Sequence, residues 1–345
     1  MRRSAWQPNT GTEVPAVTPV PRTFGSSGKS DVSIVIVTHN SQSVIERCLT
    51  ALAGNLGRLS AEVIVVDNAS TDETSRILAN YPGVIVVENE ANVGFAGACN
   101  LGIRMSTGRQ VLLLNPDAFV TAGALERLVD GLNLFPDVGL AGPTFRSAQG
   151  SMRPALERPP SIGGMYFRLT PLRYLRQLRR QPPWRPRPDT PVVTGYLIGA
   201  GLLIRRKVLE DIGGFDEGYF LYWEDMEYAR RALAHGWKLL WVSDAIIRHE
   251  RGGSSANVAS GERHWLSLVG ARRYFDAWRP TWFPLVWAIF KVLHIANLLL
   301  VCCEGALKAL IHGLRGRRAR VERHRQRRRE AWAFLRRRLW EFVQL

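Results

Sequence analysis

An α/β fold built on a mostly parallel sheet is what this sequence predicts, and three observations carry the expectation. Short aliphatic runs at Ser33–Thr38, Glu62–Asp67, Val84–Val87 and Val111–Leu114 alternate with stretches of helical period. These runs are apolar at nearly every position, as strands buried on both faces are. Three of them end on polar clusters, at Thr38-His39-Asn40, Asp67-Asn68-Ala69-Ser70 and Asn115-Pro116-Asp117. Parallel strands joined by helices bring such ends to one edge of the sheet, where open α/β sheets hold their ligands.

Taken in order, residues 1–30 are rich in Pro, Ser and Thr and read as a disordered arm, with no apolar run before Val32 that would serve as a signal peptide. After the turn at His39-Asn40, Ser43 and Glu46 form a capping box for a helix whose apolar face is Val44, Cys48, Leu49 and Leu52. Ser70 and Glu73 repeat the device for a helix reaching about Asn80. Asp67 has two readings: it accepts hydrogen bonds from a nucleotide, or it orders the Asn68–Ser70 turn. Gly94 to Ser106 is a Gly/Ala-rich helix. Its Gly94-Phe-Ala-Gly97 start matches neither G-x-G-x-x-G nor the P-loop pattern. Those small residues allow tight helix packing or close approach of backbone to a nucleotide. Pro116 cannot donate to a sheet ladder, so the strand at Val111–Leu114 stops there and Asp117 stands at its carboxyl end. An acid in that place suits a divalent cation shared with substrate phosphates, or a turn capped by its own carboxylate. Thr121 then caps a helix running to Phe135.

The pattern breaks after Gly142. Arg146 to Pro191 shows no regular sheet signal and is dense in Pro and Arg. Within it, Thr170-Pro171 opens a short basic amphipathic helix in which Leu172, Leu175 and Leu178 alternate with Arg173, Arg176, Arg179 and Arg180. Order returns at Val192–Arg205, an apolar stretch interrupted by Gly195, Gly199 and Gly201. Glu224, Asp225 and Glu227 crowd the start of a helix reaching His235. The helix dipole explains one of these acids. Three beside Phe220, Tyr222 and Trp223 point to a carboxyl raised toward useful basicity. Strands at Trp237–Val242 and Ala245–Arg248 deliver His249, on its own most simply a structural histidine, and the loop Arg251–Ser254.

Charge is unevenly placed. The net charge is +16, yet residues 152–190 hold nine arginines against Glu157 and Asp189, and residues 304–345 hold thirteen Lys/Arg against four Glu. The rest of the chain is neutral. Two basic appendages on a neutral body fit an anionic surface better than a nucleic-acid groove, so no nucleic acid is expected as a partner. The four cysteines, Cys48, Cys99, Cys302 and Cys303, make no C-x-x-C pair; neither a zinc site nor a disulfide framework is indicated, and a reducing cytosolic compartment fits. Trp332, Leu335, Leu339 and Phe342 form an apolar stripe among arginines, either a membrane-surface helix or one docked on protein.

As an ordered set, eight stretches resemble the inverting family-2 glycosyltransferases of the GT-A fold, in their rhamnosyltransferase-like branch. They are Ser33-Ile-Val-Ile-Val-Thr-His-Asn40, Val66-Asp-Asn-Ala-Ser-Thr-Asp72, Asn92-Val-Gly-Phe-Ala-Gly97, Leu114-Asn-Pro-Asp117, Gly199-Ala-Gly201, Gly213-Gly-Phe-Asp-Glu217, Trp223-Glu-Asp-Met-Glu227 and His249-x-x-Gly-Gly-Ser254. The resemblance covers about residues 32–255. It implies a Rossmann-like, helix-flanked catalytic domain over 31–270, with a donor half (31–145), a basic insertion (146–191) and an acceptor half (192–270); by composition and charge, 271–345 is expected to be a helical membrane-associating tail.

The resemblance also implies roles. Thr38, Asn40, Asp67, Asp72, Asn92, Gly94 and Asn115 would line the nucleotide-sugar pocket. Asp117 and His249 would hold Mg²⁺ or Mn²⁺, with Asn115 standing where many members have a first Asp. Asp225 would take the acceptor proton, with Glu224, Glu227, Trp223 and Gly199 orienting base or acceptor. The implied donor is dTDP-L-rhamnose, ahead of UDP-galactofuranose and GDP sugars. The implied acceptor is a polyprenyl-diphosphate-linked saccharide or a polysaccharide, met at the cytoplasmic face of the plasma membrane during cell-wall or surface-polysaccharide synthesis. Trp282 to Cys303 is long and apolar enough for a span, but Lys291, His294 and Asn297 interrupt it near one face. A span would also carry the basic tail across the membrane, against the positive-inside preference, so an interfacial or re-entrant segment is expected. A nucleic-acid-binding protein would leave the neutral body and the acidic strand ends unexplained. A non-catalytic nucleotide-binding relative would have no need of Asp117, Asp225 and His249 together.

Overall fold

Four strands with fully or largely apolar sequences form the parallel part of one sheet: β1 (Val32–Thr38), β2 (Ala61–Asp67), β3 (Ile85–Glu88) and β4 (Gln110–Leu114). Their order is β3-β2-β1-β4, with Thr38 opposite Asp67 and Ile36 opposite Leu114. The computed structural model describes residues 30–172, 174, 186–250, 260–278, 281–314 and 318–345. Helices α1 (Ile45–Ala53), α2 (Thr74–Leu78) and α3 (Gly94–Met105) connect these strands. α3 lies close on the sheet because Gly102 has no side chain: a Cβ there would stand 2.3 Å from Val35 Cγ1. β1, β2 and β4 are buried along their whole length, as two-faced covering by helices requires.

Beyond β4 the sheet is mixed. β10 (Gly201–Arg205) runs antiparallel to both β4 and β6 (Val138–Arg146), and β11 (Lys238–His249) lies parallel to β6. β5 (Ala118–Val120) closes the far edge antiparallel to β11, and β7 (Met152–Pro154) pairs with β6. β8 (Leu156–Glu157) and β9 (Tyr196–Leu197) form a separate two-stranded sheet. α4 (Ala124–Leu134), α6 (Arg206–Ile212) and α7 (Glu224–Ala234) complete this first unit, which takes in residues up to 159, 185–220 and 224–257.

The second unit comprises residues 160–184, 221–223 and 258–345. It contains α5 (Ile162–Leu169), α8 (Ser260–Ala277), α9 (Phe283–Leu314) and α10 (Arg318–Gln344). Its interior is aromatic: Phe283, Trp287, Phe290, Phe334 and Phe342 are buried with His294, and the Tyr166 hydroxyl of α5 donates to Val286 O. By length and composition α9 is able to cross a membrane.

Several expectations are corrected. Neither capping box forms. α1 starts on the Ser41 carbonyl, which accepts from the amides of Val44 and Ile45 at 3.0 Å each. α2 starts on Asp72, whose Oδ1 accepts from Thr74 N at 3.0 Å, while Ser70 donates to Asp67. The Thr121 hydroxyl reaches across to Ile246 O instead of capping α4, whose N-cap is Gly123. For Ser70 the carboxylate of Asp67, and for Thr121 a carbonyl of β11, outcompete the local cap. Thr170 ends α5 and, as expected, opens a further helical turn at Pro171, its Oγ1 accepting from Leu172 N at 3.2 Å, while the basic stretch from 175 lies outside the described residues, as do the arm before residue 30 and the Arg251–Ser254 loop. The insertion expected to lack strands contains β7 and β8. The expected stripe of Trp332, Leu335, Leu339 and Phe342 on α10 is not uniform: Phe342 is buried, Leu335 and Leu339 are partly buried, and Trp332 is exposed.

One buried tether fixes the approach to α7. Asn100, in the middle of α3, donates from Nδ2 to Phe215 O (2.9 Å) and to Glu217 Oε1 (2.9 Å), and accepts from Phe215 N at Oδ1 (2.8 Å). Asn100→Ala leaves both backbone groups of Phe215 unpaired in the interior. It should destabilise the fold by about 2 kcal/mol, read as a lowered denaturant midpoint; an unchanged midpoint would show that the tether is dispensable.

Candidate active site

The carboxyl ends of β1, β2 and β4 share one edge, and the turns that follow are laced together. Asp67 is 2% exposed. Its Oδ1 accepts from Thr38 Oγ1 (3.3 Å), Ser70 N (3.2 Å) and Ser70 Oγ (2.5 Å), and its Oδ2 from Ser75 Oγ (2.6 Å). Of its two readings, the turn-ordering one describes its contacts. Asn40, at φ 52°, accepts from Thr71 N at 2.7 Å, while its own amide donates to Ser70 Oγ. Asp72 Oδ2 accepts from Gln42 N at 3.1 Å. Asn92 Oδ1 accepts from Asn68 Nδ2 (2.8 Å) and Gly94 N (3.0 Å). Thr38, Asn40, Asp67, Asp72 and Asn92 thus belong to linked turns along one edge. Gly94 adjoins them at φ 81°, and a Cβ there would lie 2.5 Å from Phe220 O, the carbonyl that accepts from Phe95 N at 2.7 Å. Only glycine fits that close backbone crossing.

β10 brings a second loop to the same edge. Asn115 N donates to Ala200 O at 3.1 Å, and the neighbouring Gly199 N donates to Asp225 Oδ2 at 3.2 Å. Asp225 Oδ1 accepts from Met226 N at 2.8 Å. The residue is only partly exposed, and its carboxyl is enclosed enough that desolvation pushes it up to about 6. Glu224 is 6% exposed and its Oε2 meets no partner among the described residues. Burial first, and then the charge of Asp225, hold its carboxyl well above the ordinary range, which favours its neutral form. Glu227 is engaged elsewhere, with both of its oxygens bound to Arg231 at 2.9 Å each, and Arg231 continues to Ile212 O and Gly214 O. Trp223, at φ 75°, belongs to the second unit, where its Nε1 donates to Ser267 Oγ and its ring packs on Tyr274 and Phe275.

Asp117 is 1% exposed, and the pairing of β5 with β11 sets His249 opposite Ala118. His249 Nε2 stands 3.4 Å from Asp117 Oδ1, wider than a good hydrogen bond. No group of three or more His, Cys, Asp or Glu suited to a metal exists among the described residues. The pair still fits a divalent ion that draws its other ligands from phosphate and water, as Mg²⁺ usually does. Cys48 is buried beside it, and its thiol is pushed up by desolvation and by the Asp117 charge, so it is no nucleophile. The sequence patterns carry no sign of one further cluster. Arg47 binds Glu250 through two contacts, at 3.1 and 2.6 Å, and Arg47 and Arg248 flank the Phe119 ring at 4.5 and 5.0 Å. Arg47 and Glu250 are 203 residues apart, and neither stands in a motif that would have signalled the contact.

The family described as "Glycosyl transferase family 2" matches residues 33–213, and "Glycosyl transferase family group 2" matches 190–311. The chain is 30% identical over 293 residues to the N-acetylglucosaminyl-diphospho-decaprenol L-rhamnosyltransferase of Mycobacterium tuberculosis, an alignment covering 78% of this chain and 92% of that protein. It is 27% identical to a low-salt glycan biosynthesis hexosyltransferase of Haloferax volcanii, covering 59% of this chain and 61% of that one. Among solved structures, the Pyrobaculum calidifontis mannosyltransferase in complex with GDP-Man and Mn²⁺ superposes with a TM-score of 0.49 at 18% identity, covering 91% of this chain and 88% of that chain. The chain therefore belongs to glycosyl transferase family 2, in its rhamnosyltransferase-like branch, and is a glycosyltransferase with a mixed α/β fold.

Proposed function

We propose that this glycosyltransferase moves L-rhamnose from dTDP-L-rhamnose, with inversion, to a hydroxyl of a polyprenyl-diphosphate-linked saccharide at the cytoplasmic face of the plasma membrane. The observation that carries the chemistry is Asp225, a carboxyl raised by burial and aimed by the Gly199 amide at the edge that also holds Asp117 and His249. The mycobacterial relative, named for rhamnosyl transfer to a decaprenyl-diphosphate sugar, supports the choice of donor sugar and acceptor class.

In this reading Asp225 accepts the proton of the attacking hydroxyl as that oxygen bonds to the anomeric carbon and the nucleoside diphosphate leaves. A carboxylate with its affinity for protons raised is a stronger base than an ordinary Asp. The neutral form of Glu224 beside it adds no second negative charge against the incoming acceptor. Thr38, Asn40, Asp72, Asn92 and Asn115 border the donor, while Asp67 keeps their turns in place. Glu227 holds α7 to the 212–214 turn and so keeps Asp225 in position. Asp117 and His249 are the residues that would hold Mg²⁺ or Mn²⁺, which when bound neutralises charge on the departing diphosphate.

The direct test is transfer from dTDP-L-rhamnose to a polyprenyl-diphosphate-linked N-acetylglucosamine by the purified protein, with UDP-galactofuranose and GDP sugars as competitors. Product from dTDP-L-rhamnose alone is expected; a preference for another donor would overturn the assignment. Asp225→Asn should lower kcat by about 10²–10⁴ with donor affinity unchanged, and near-normal turnover in the folded variant would remove Asp225 from the base role.

The pH profile follows from the direction of the shift. Asp225 must be unprotonated to act, and its proton affinity is raised, so kcat/KM should climb with pH through about 6. An ordinary Asp would place that limb near 4. A limb at the ordinary value would contradict the buried setting. Excess chelator should stop turnover, and Mg²⁺ or Mn²⁺ should restore it. Asp117→Ala should abolish metal-dependent donor binding and His249→Ala should weaken it. Full activity in chelator would mean that protein side chains stabilise the leaving group.

A further inference from the structure

We infer that α9 and α10 form an antiparallel hairpin that lies in the plane of an anionic lipid surface, and that α9 does not cross it. The membrane-held acceptor proposed above gives this a purpose, and the two faces of α9 point to it independently. α9 has two faces. One is packed inside the second unit through Phe283, Trp287, Phe290, His294 and Leu298. The other is exposed and apolar for most of its length, with Leu285, Ile289, Val292, Leu299, Leu307 and Leu310 at helical spacing. Leu285 and Val292 are 67% and 68% exposed. An outer helix face normally carries polar groups, and an apolar stripe of this size marks a contact with something else.

α10 decides between lying on the membrane and crossing it. The two helices are in register from end to end. Lys291 Nζ donates to Val343 O at 2.6 Å, the rings of His294 and Phe334 meet at 5.9 Å, a Cβ on Gly305 would lie 3.1 Å from Arg328 Cβ, and His312 stacks on His324 at 5.3 Å. Along that stretch α10 exposes Arg325, Arg327, Arg328, Arg329, Arg336 and Arg337. If α9 spanned a bilayer, its partner helix would draw these arginines into hydrocarbon, where they are among the costliest side chains. In the plane of the surface the apolar stripe enters the boundary between headgroups and acyl chains, and the arginines meet lipid phosphates. The excess of basic over acidic side chains in 304–345 selects an anionic lipid as the occupant over a second copy of the same basic surface. Exposed Trp282, Trp332 and Trp340 are of the residue type that settles at membrane interfaces.

The test uses the full chain and sealed vesicles of phosphatidylcholine, with or without about one-third phosphatidylglycerol, and with no donor or acceptor present. Binding should be at least tenfold stronger to the anionic vesicles. The triple variant Leu285→Glu, Val292→Glu, Leu299→Glu should lose it at least tenfold while still hydrolysing sugar nucleotide at the parental rate. Arg327→Gln, Arg328→Gln, Arg329→Gln, which leaves the apolar stripe intact, should erase the preference for anionic lipid. For orientation, Thr281→Cys and Glu322→Cys, exposed polar positions outside the apolar stripe at opposite ends of the hairpin, are made singly in a Cys302→Ser, Cys303→Ser background and exposed to a membrane-impermeant maleimide outside the vesicles. Both positions should react. Protection of one end would reveal a span and overturn the inference. So would equal binding to neutral vesicles, or a lipid-free dimer that the triple substitution dissociates while vesicle binding persists. Vesicle binding without any glycosyl transfer would count against the proposed reaction alone.

Discussion

β10 enters the sheet antiparallel to β4 with Gly201 opposite Leu114, so its N-terminal end arrives at the edge where β1, β2 and β4 end. In a parallel orientation the Gly199-Ala200 loop would sit at the opposite edge, far from every acid at the strand ends. In the observed register Ala200 O is taken by the Asn115 amide and the Gly199 amide is left to point at Asp225. A backbone N–H has no rotamers to lose, so the sheet itself orients the base. The same strand pairs with β6, and β6 carries β11 and thereby His249 to the place where Asp117 ends its own turn.

The electrostatics of α7 depend on where Arg231 is held. Arg231 spends its guanidinium on Glu227 and on two carbonyls, while Asp225 accepts from the Gly199 and Met226 amides. Those amides favour the carboxylate, burial opposes it, and burial wins, which sets Asp225 near 6. A guanidinium on Asp225 instead would have held it low and made it a poor base. Ionising a carboxyl whose proton affinity is raised in the fold costs stability. That cost is absent below the unfolded value and complete above the folded one, so the protein carries it at neutral pH. The extensive apolar core around β1, β2 and β4 offsets it.

Much of this was legible in the chain. β1, β2 and β4 are unbroken apolar runs, and such runs have few alternatives to a doubly covered strand. Their polar ends identified the working edge. Hydrophobic period carries no information on strand direction, however, so the antiparallel entry of β10 was not readable, nor was β5, three residues long. The Ser70 box failed because its hydroxyl donates to Asp67 instead, and the Thr121 cap failed because its hydroxyl reaches Ile246 O, a distant partner that no local pattern reveals. Asn100 with Phe215 and Arg47 with Glu250 are contacts of the same kind, separated by 115 and 203 residues. The crowding of Glu224, Asp225 and Glu227 was plain, but their division of labour was not. It rests on helical phase, which buries Glu224 and Glu227 and leaves Asp225 partly open.

Asp117, His249 and Asp225 all lie on one unit, whose Cys48 and Cys99 are buried, and burial raises both thiols. The proposed reaction is a single displacement, with the acceptor oxygen entering on the face opposite the departing diphosphate. The most direct measurement is the anomeric configuration of the product formed by the purified enzyme from dTDP-L-rhamnose and a polyprenyl-diphosphate-linked acceptor, read from the one-bond C–H coupling at the new anomeric carbon. The account predicts a configuration inverted relative to the donor. A product that retains the donor configuration would contradict it.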